Sequence, residues 1–248
     1  MGLRKRFWRA RFIVVLGLAG VASLILARPG SFPGGTVLMQ KLTGKHTVAD
    51  RLEQFGPGAE ARWKPFFEKA GVVYAPRKLL LVGLKAEKRL EVYAQREGQW
   101  RWVRSLPVEA SSGKMGPKLR EGDRQVPEGF YRIESLNPNS AFHLSLRVSY
   151  PSDADKEIAE REGRTGLGGD IMIHGGAASV GCLAMGDEAA EDLFVLAAQT
   201  GAENIEVVLC PLDFRVARVP DDPKRPDWVE KRYAELSRFV QTLGRDSP

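Results

Sequence analysis

The chain has 248 residues, 43% hydrophobic and 27% charged, enough for one large domain or two small ones, which excludes a disordered chain, a collagen and a polytopic membrane protein. Its formal charge is +6, yet Arg4, Lys5, Arg6, Arg9, Arg11 and Arg28 all fall in the first 28 residues, where no Asp or Glu occurs. Setting those six aside leaves basic and acidic residues balanced at 31 each, so the body is neutral and gives no reason to expect nucleic acid as a partner.

Residues 1–28 read as a signal peptide or N-terminal membrane anchor. A cationic start precedes the apolar run 12–27, and Arg28-Pro29-Gly30 breaks it. Ile25 and Ala27 suit a cleavage site loosely; an uncleaved leader would hold the chain at the inner membrane with its basic end in the cytoplasm. Either reading sends the body out of the cytoplasm. Residues 29–76 then form a linker (P-G-S-F-P-G-G at 29–35) and a helical preface. Thr47 with Asp50 makes a capping box, Val48, Leu52 and Phe55 follow at helical spacing, and Gly56-Pro57-Gly58 predicts a break. A second helix is expected over 59–70, with Trp63, Phe66 and Phe67 on one side.

From residue 78 the texture becomes that of strands, at 79–84, 90–93, 100–108, 130–133, 144–150, 171–173 and 205–210. Turn clusters separate them at 111–116, 137–140 (N-P-N-S) and 163–169. One helix is expected with Asp187 as N-cap, an apolar face of Ala190, Leu193, Phe194 and Ala197, and Gly201 past its end. A last helix starts near Asp227 and carries Val229, Tyr233, Leu236, Val240 and Leu243. The fold class is mainly β with added helices (α+β): a catalytic unit over 77–217 and a helical tail over 218–248.

Most motifs read as structure. Residues 113–118 (G-K-M-G-P-K) lack the ending of a phosphate loop, and G-L-G-G at 166–169 precedes a strand instead of following one. Among His46, His143 and His174 no pair stands at ligand spacing, so no metal is implied. Glu121, Asp123 and Glu128 read as a solvated turn. Residues 171–185 (I-M-I-H-G-G-A-A-S-V-G-C-L-A-M) differ in kind. His174 ends an apolar strand before Gly175 and Gly176, and Cys182 follows eight residues later, ahead of a helix. That spacing can fold a thiol nucleophile back against an imidazole base at a strand's end. Gly181 permits close backbone approach, so N–H groups at Gly181 and Cys182 are candidate oxyanion donors, and the helix behind adds a weak positive field. The competing readings are a core histidine bonded to a loop carbonyl, and a Cys182–Cys210 disulfide in an oxidising compartment.

The pattern H-G-x-x-x-S-x-G-C-x-x-M resembles the active-site signature of the YkuD-type L,D-transpeptidases, bacterial enzymes that remodel peptidoglycan. The resemblance extends over about residues 77–215, through Ser112-Gly113, Gly116-Pro117-Lys118, Glu121-Gly122-Asp123, the run 126–131 (V-P-E-G-F-Y), N-P-N-S at 137–140 and Tyr150-Pro151, and it is closest to the YafK-like branch. It implies Cys182 as nucleophile, His174 as acid/base, and Gly175, Ser179 and Gly181 in the loop that shapes the oxyanion site. Val180 and Ala184 stand where many relatives have His and Arg or Asn, and the loop between His174 and Cys182 is short, which implies a reshaped cleft. The implied setting is the periplasm, the implied substrate a diaminopimelate-containing stem peptide, and no cofactor is implied. Lys118, Arg120 and Arg164 are candidate contacts to its carboxylates. The acyl group passes to an amine or, in a hydrolase of this branch, to water with release of a murein-attached lipoprotein. A non-catalytic cell-wall-binding domain with the Cys182–Cys210 disulfide is the alternative.

Overall fold

The computed structural model describes residues 44–244 except residue 224. The leader and the Gly-Pro linker lie outside the described residues. Within them the elements in chain order are α1 (Val48–Lys69), β1 (Leu79–Leu84), β2 (Arg89–Arg96), β3 (Gln99–Pro107), β4 (Ala110–Ser111), β5 (Gly129–Ser140), β6 (His143–Val148), α2 (Asp153–Arg161), β7 (Met172–His174), β8 (Leu183–Ala184), α3 (Asp187–Thr200), a 3₁₀ turn (Ala202–Asn204), β9 (Ile205–Cys210) and α4 (Asp227–Thr242). This is the expected α+β class.

The strands join into one nine-stranded sheet in the order β3-β2-β1-β9-β5-β6-β7-β8-β4. Alternation along each strand divides its side chains between two faces. On the inner face Leu79, Leu81, Ile133, Leu144, Leu146, Ile173, Leu183, Val207 and Leu209 pack with α1 and α3 into one core. On the outer face Leu80, Val82, Leu84, Tyr93, Val208 and Cys210 pack under α4, which contributes Val229, Tyr233, Leu236, Val240 and Leu243. Each fully buried apolar side chain contributes roughly 1.5–3 kcal/mol. α4 is also pinned by polar groups: Tyr233 donates to buried Glu128 at 2.6 Å, whose other oxygen meets Lys85 at 2.8 Å.

Four local expectations change. α1 runs unbroken through Gly56-Pro57-Gly58, because Ala59, Trp63 and Phe67 beyond it form one buried stripe, and that tertiary burial outweighs the weak local signal. Trp63 Nε1 donates to the Asp192 carbonyl at 2.8 Å, and Arg62 meets the Asp192 carboxylate at 2.7 Å. N-P-N-S at 137–140 lies inside β5, across an irregularity in its pairing with β6 between Asn137 and Ser140. Gly186, not Asp187, caps α3, since the Asp187 carboxylate is turned back to accept from Gly176 N–H at 2.8 Å. The fourth is α2, which hydropathy does not announce. Its capping box, Ser152 with Asp155, was nonetheless present in the sequence.

Candidate active site

The site is assembled by β6, β7 and β8. Ile173 pairs with Leu183 and His174 with Ala184 in a parallel ladder, so Cys182 sits beside Met172 at the entry to β8. Paired residues share a face. Ile173 and Leu183 point into the core; Met172, His174 and Cys182 therefore point outward together. The sheet thus brings the two sequence-predicted catalytic residues to one face of adjacent strands, offset by two residues along them.

His174 is 3% exposed, with the Phe142 ring 4.7 Å away, centroid to centroid. Its Nδ1 lies 2.6 Å from the Gly175 carbonyl. A carbonyl only accepts, so Nδ1 carries the proton and Nε2 is left as the basic nitrogen. Burial pushes the imidazole's pKa down, against the Gly175 carbonyl, which raises it. Gly175 is required sterically: a Cβ there would lie 2.7 Å from Asp187 Oδ1, 2.8 Å from the Phe142 carbonyl and 3.0 Å from His143 Cβ.

Cys182 is half-buried, and burial raises its thiol pKa. The Met172 N–H donates to Sγ at 3.4 Å, and the thiol donates to the Asp170 carbonyl at 3.5 Å. Among the described residues it makes no hydrogen bond to His174, and burial favours the neutral form of both the thiol and the imidazole. The loop before Cys182 is held by two hydroxyls. Ser112 Oγ accepts from Gly181 N–H and donates to the Arg124 carbonyl. Ser179 Oγ accepts from Cys182 N–H at 3.1 Å and donates to the Cys182 carbonyl. The two N–H groups anticipated for an oxyanion are thus engaged by hydroxyls in this structure. Gly181 adopts φ +89, a region glycine alone enters without strain, and packs against the Gln125 carbonyl.

The three predicted carboxylate contacts fare differently. Lys118 is buried, its ammonium 2.7 Å from Asp123 and 2.9 Å from the Arg120 carbonyl, and its positive charge favours the Cys182 thiolate. Arg164 is tied to Glu162 at 2.6 Å and to the Leu119 carbonyl at 2.9 Å, bracing one loop on the other. Arg120 is exposed and contributes only backbone groups to the bonds formed here. The acidic turn is not solvated throughout. Asp123 accepts from the Leu119, Arg120 and Gln125 N–H groups, and Glu128 is fully buried. No cluster of three metal-ligating side chains occurs among the described residues.

The disulfide does not form: Cys182 and Cys210 are both free thiols. Cys210 ends β9 beneath α4, where burial pushes its pKa far up, whereas Cys182 opens β8 three strands beyond β5. Ser112 is the residue whose place in the site the motif alone understated. It matched the resemblance, but its bond to Gly181 comes from the β4–β8 pairing of Ser111 with Leu183.

A thiol, a buried imidazole whose Nε2 makes no hydrogen bond among the described residues, and a hydroxyl-braced glycine loop are the kinds of group that cysteine acyl-transfer chemistry uses. The L,D-transpeptidase catalytic domain family (YkuD) matches residues 77–208, and the chain belongs to it. It is 32% identical over 112 residues to the Escherichia coli (strain K12) protein named "Putative L,D-transpeptidase YafK", covering 44% of this chain and 43% of that one. The chain thus matches less than half the length of that curated relative. Among solved structures it is similar to the helical cell shape determining protein Pgp2 from Campylobacter jejuni, at 20% identity and a TM-score of 0.44 over 66% of this chain and 68% of that one. It is also similar to Mycobacterium tuberculosis L,D-transpeptidase 1, at 15% identity and a TM-score of 0.31 over 54% of this chain and 62% of that one.

Proposed function

We propose that this protein is a periplasmic cysteine L,D-transpeptidase that forms a thioester on diaminopimelate-containing stem peptides of peptidoglycan. The observation that supports this most is the His174 tautomer: Nδ1–H is held by the Gly175 carbonyl, and Nε2 is free on the face that bears Cys182. Substrate entry displaces the thiol from the Asp170 carbonyl and turns it toward Nε2. The imidazole takes the proton as sulfur attacks the carbonyl carbon of diaminopimelate. Cys182 N–H, at 3.1 Å from Ser179 Oγ, exchanges that bond for one to the oxyanion. Collapse breaks the C–N bond, and the imidazolium protonates the departing amine. An acceptor amine then attacks the thioester, gives its proton to Nε2 and releases the thiol.

Neutral resting partners suit this sequence. The base is uncharged at neutral pH because burial lowers its pKa, and Lys118 and the Met172 N–H stabilise the thiolate once it forms. The test incubates the full chain and its Cys182→Ala form with tetrapeptide-rich and lipoprotein-bearing peptidoglycan and identifies the muropeptides by mass. New cross-links or an exchanged fourth residue, absent from the variant, are expected. Loss of lipoprotein-linked peptides without new bonds would reassign the protein as a hydrolase of the same site. Identical products from the two proteins would overturn the enzymatic reading.

A further inference from the structure

Residues 112–126 carry much of what holds the nucleophile's turn in place. Ser112 Oγ accepts from Gly181 N–H and donates to the Arg124 carbonyl, and the Gln125 carbonyl lies 3.3 Å from where a Gly181 Cβ would stand. Lys118, whose charge favours the Cys182 thiolate, belongs to the same segment. Fixing a loop of this length costs conformational entropy at every residue, so contacts elsewhere must hold it.

A buried ion pair closes the neck of this loop. The Lys85 ammonium, just after β1, donates to the Gly116 carbonyl at 3.0 Å, the Val126 carbonyl at 2.9 Å and Glu128 Oε1 at 2.8 Å, which uses all three of its donors. One cation therefore joins two backbone points on either side of Lys118 and Asp123. Glu128 Oε1 also accepts from Gly116 N–H at 2.9 Å, so Gly116 is held through both of its backbone groups. Glu128 is fully buried and Lys85 nearly so. Buried charges of this kind depend on every partner they keep.

Further partners come from α4. Tyr233 donates its hydroxyl to Glu128 Oε2 at 2.6 Å, and Arg232 reaches the Glu128 carbonyl at 3.1 Å and Asp155 of α2 at 2.6 Å. Trp228 makes a second link, donating to Glu162 at 2.8 Å. Glu162 in turn holds Arg164, whose guanidinium bonds the Leu119 carbonyl inside the loop at 2.9 Å. Two polar routes thus run from one helix to the segment that braces Gly181. The family match stops at residue 208, whereas α4 begins at Asp227, so the match itself gives this helix no part in the site.

We propose that Glu128 and Tyr233 are positioning residues for the Cys182 site: Tyr233 of α4 fixes the Glu128–Lys85 pair at the loop's neck, and the loop fixes the Gly181–Cys182 turn. The proposal rests on the reading of Cys182 as the nucleophile, and one arm of its test is independent of turnover. Tyr233→Phe removes one hydroxyl and no charge. In the full chain it is expected to raise the pH midpoint of Cys182 alkylation by iodoacetamide, because Lys118 is held less closely to the thiolate. Cys182→Ala protein supplies the blank for Cys210. The turn acts on the transition state, where a 1 Å shift costs about 100-fold, so a smaller shift is expected to lower kcat about tenfold with KM little changed. Val240→Ala is the control. It opens a gap under the same helix away from the polar route, and is expected to lower Tm while leaving midpoint and kcat at parental values. Parental midpoint and kcat in folded Tyr233→Phe, or equal changes in Val240→Ala, would overturn the proposal. A parent without muropeptide turnover would remove the nucleophile reading alone, and the alkylation midpoints would still decide the positioning.

Discussion

Gly175→Ala puts the tautomer argument at risk in one substitution. Its backbone has ordinary φ, so alanine is penalised only by what its methyl meets. That methyl would lie 2.7 Å from Asp187 Oδ1, 2.8 Å from the Phe142 carbonyl and 3.0 Å from His143 Cβ. Two of these three are fixed by α3 and by backbone, so residue 175 must move, and its carbonyl with it. Overpacking of this kind costs about 1–3 kcal/mol. For a chain of this size that is a fall in Tm of about 2–12 °C. The catalytic loss is expected to be larger, because a shift of about 1 Å in the group that orients the base costs on the order of 100-fold in kcat. Gly56→Ala is the matched control: its methyl would meet nothing within 4 Å in the middle of α1. It is expected to keep wild-type turnover and to hold or raise Tm. Thermal melts and muropeptide turnover on the three proteins decide it. Gly175→Ala with the predicted fall in Tm and wild-type kcat would refute the claim that the Gly175 carbonyl sets the base.

The neutral resting pair predicts that the rate of Cys182 alkylation by iodoacetamide climbs with pH to a midpoint above the ordinary thiol value of 9.0, with no plateau in acid; an acid plateau would reveal a thiolate–imidazolium pair instead. Because folding lowers the pKa of His174 from 6.5, the unfolded chain binds more protons below that pH, so stability falls as pH drops through 6.5 toward the lowered value. Urea melts across pH 5–8 are expected to show a shallower acid slope in His174→Gln than in the parent, and equal slopes would remove His174 as the cause. Lys118→Met takes away a cation that favours the thiolate, and should move the alkylation midpoint further up while Asp123 keeps its three backbone donors. Arg215→Ala removes a guanidinium that bridges buried Glu91 at 2.8 Å and Asp213 at 2.7 Å, with an expected loss of about 3–5 kcal/mol in denaturant melts and no effect on Cys182 alkylation in the folded protein.

Much of the chemistry was legible in residues 171–185. An apolar run ending in His-Gly-Gly says where a strand stops, and Ser-x-Gly-Cys before a helix says where a thiol is presented. Those are local signals, set by φ freedom, hydropathy and residue chemistry within a few positions. The capped start of α1, the apolar face of α3 and the stripe on α4 were legible for the same reason. Only tertiary structure decided the rest. Whether Gly56-Pro57-Gly58 interrupts a helix depends on what the flanking turns bury, and here Ala59, Trp63 and Phe67 just beyond it are buried in the core. Lys118 looked like a free cation until Asp123 and the Arg120 carbonyl enclosed its ammonium. The two cysteines invited a disulfide by count alone, yet β9 and β8 carry them to separate places, because sheet order is not chain order. The common outward face of His174 and Cys182 is likewise a property of the β7–β8 register, which pairs residues ten apart in the chain and which no local pattern encodes.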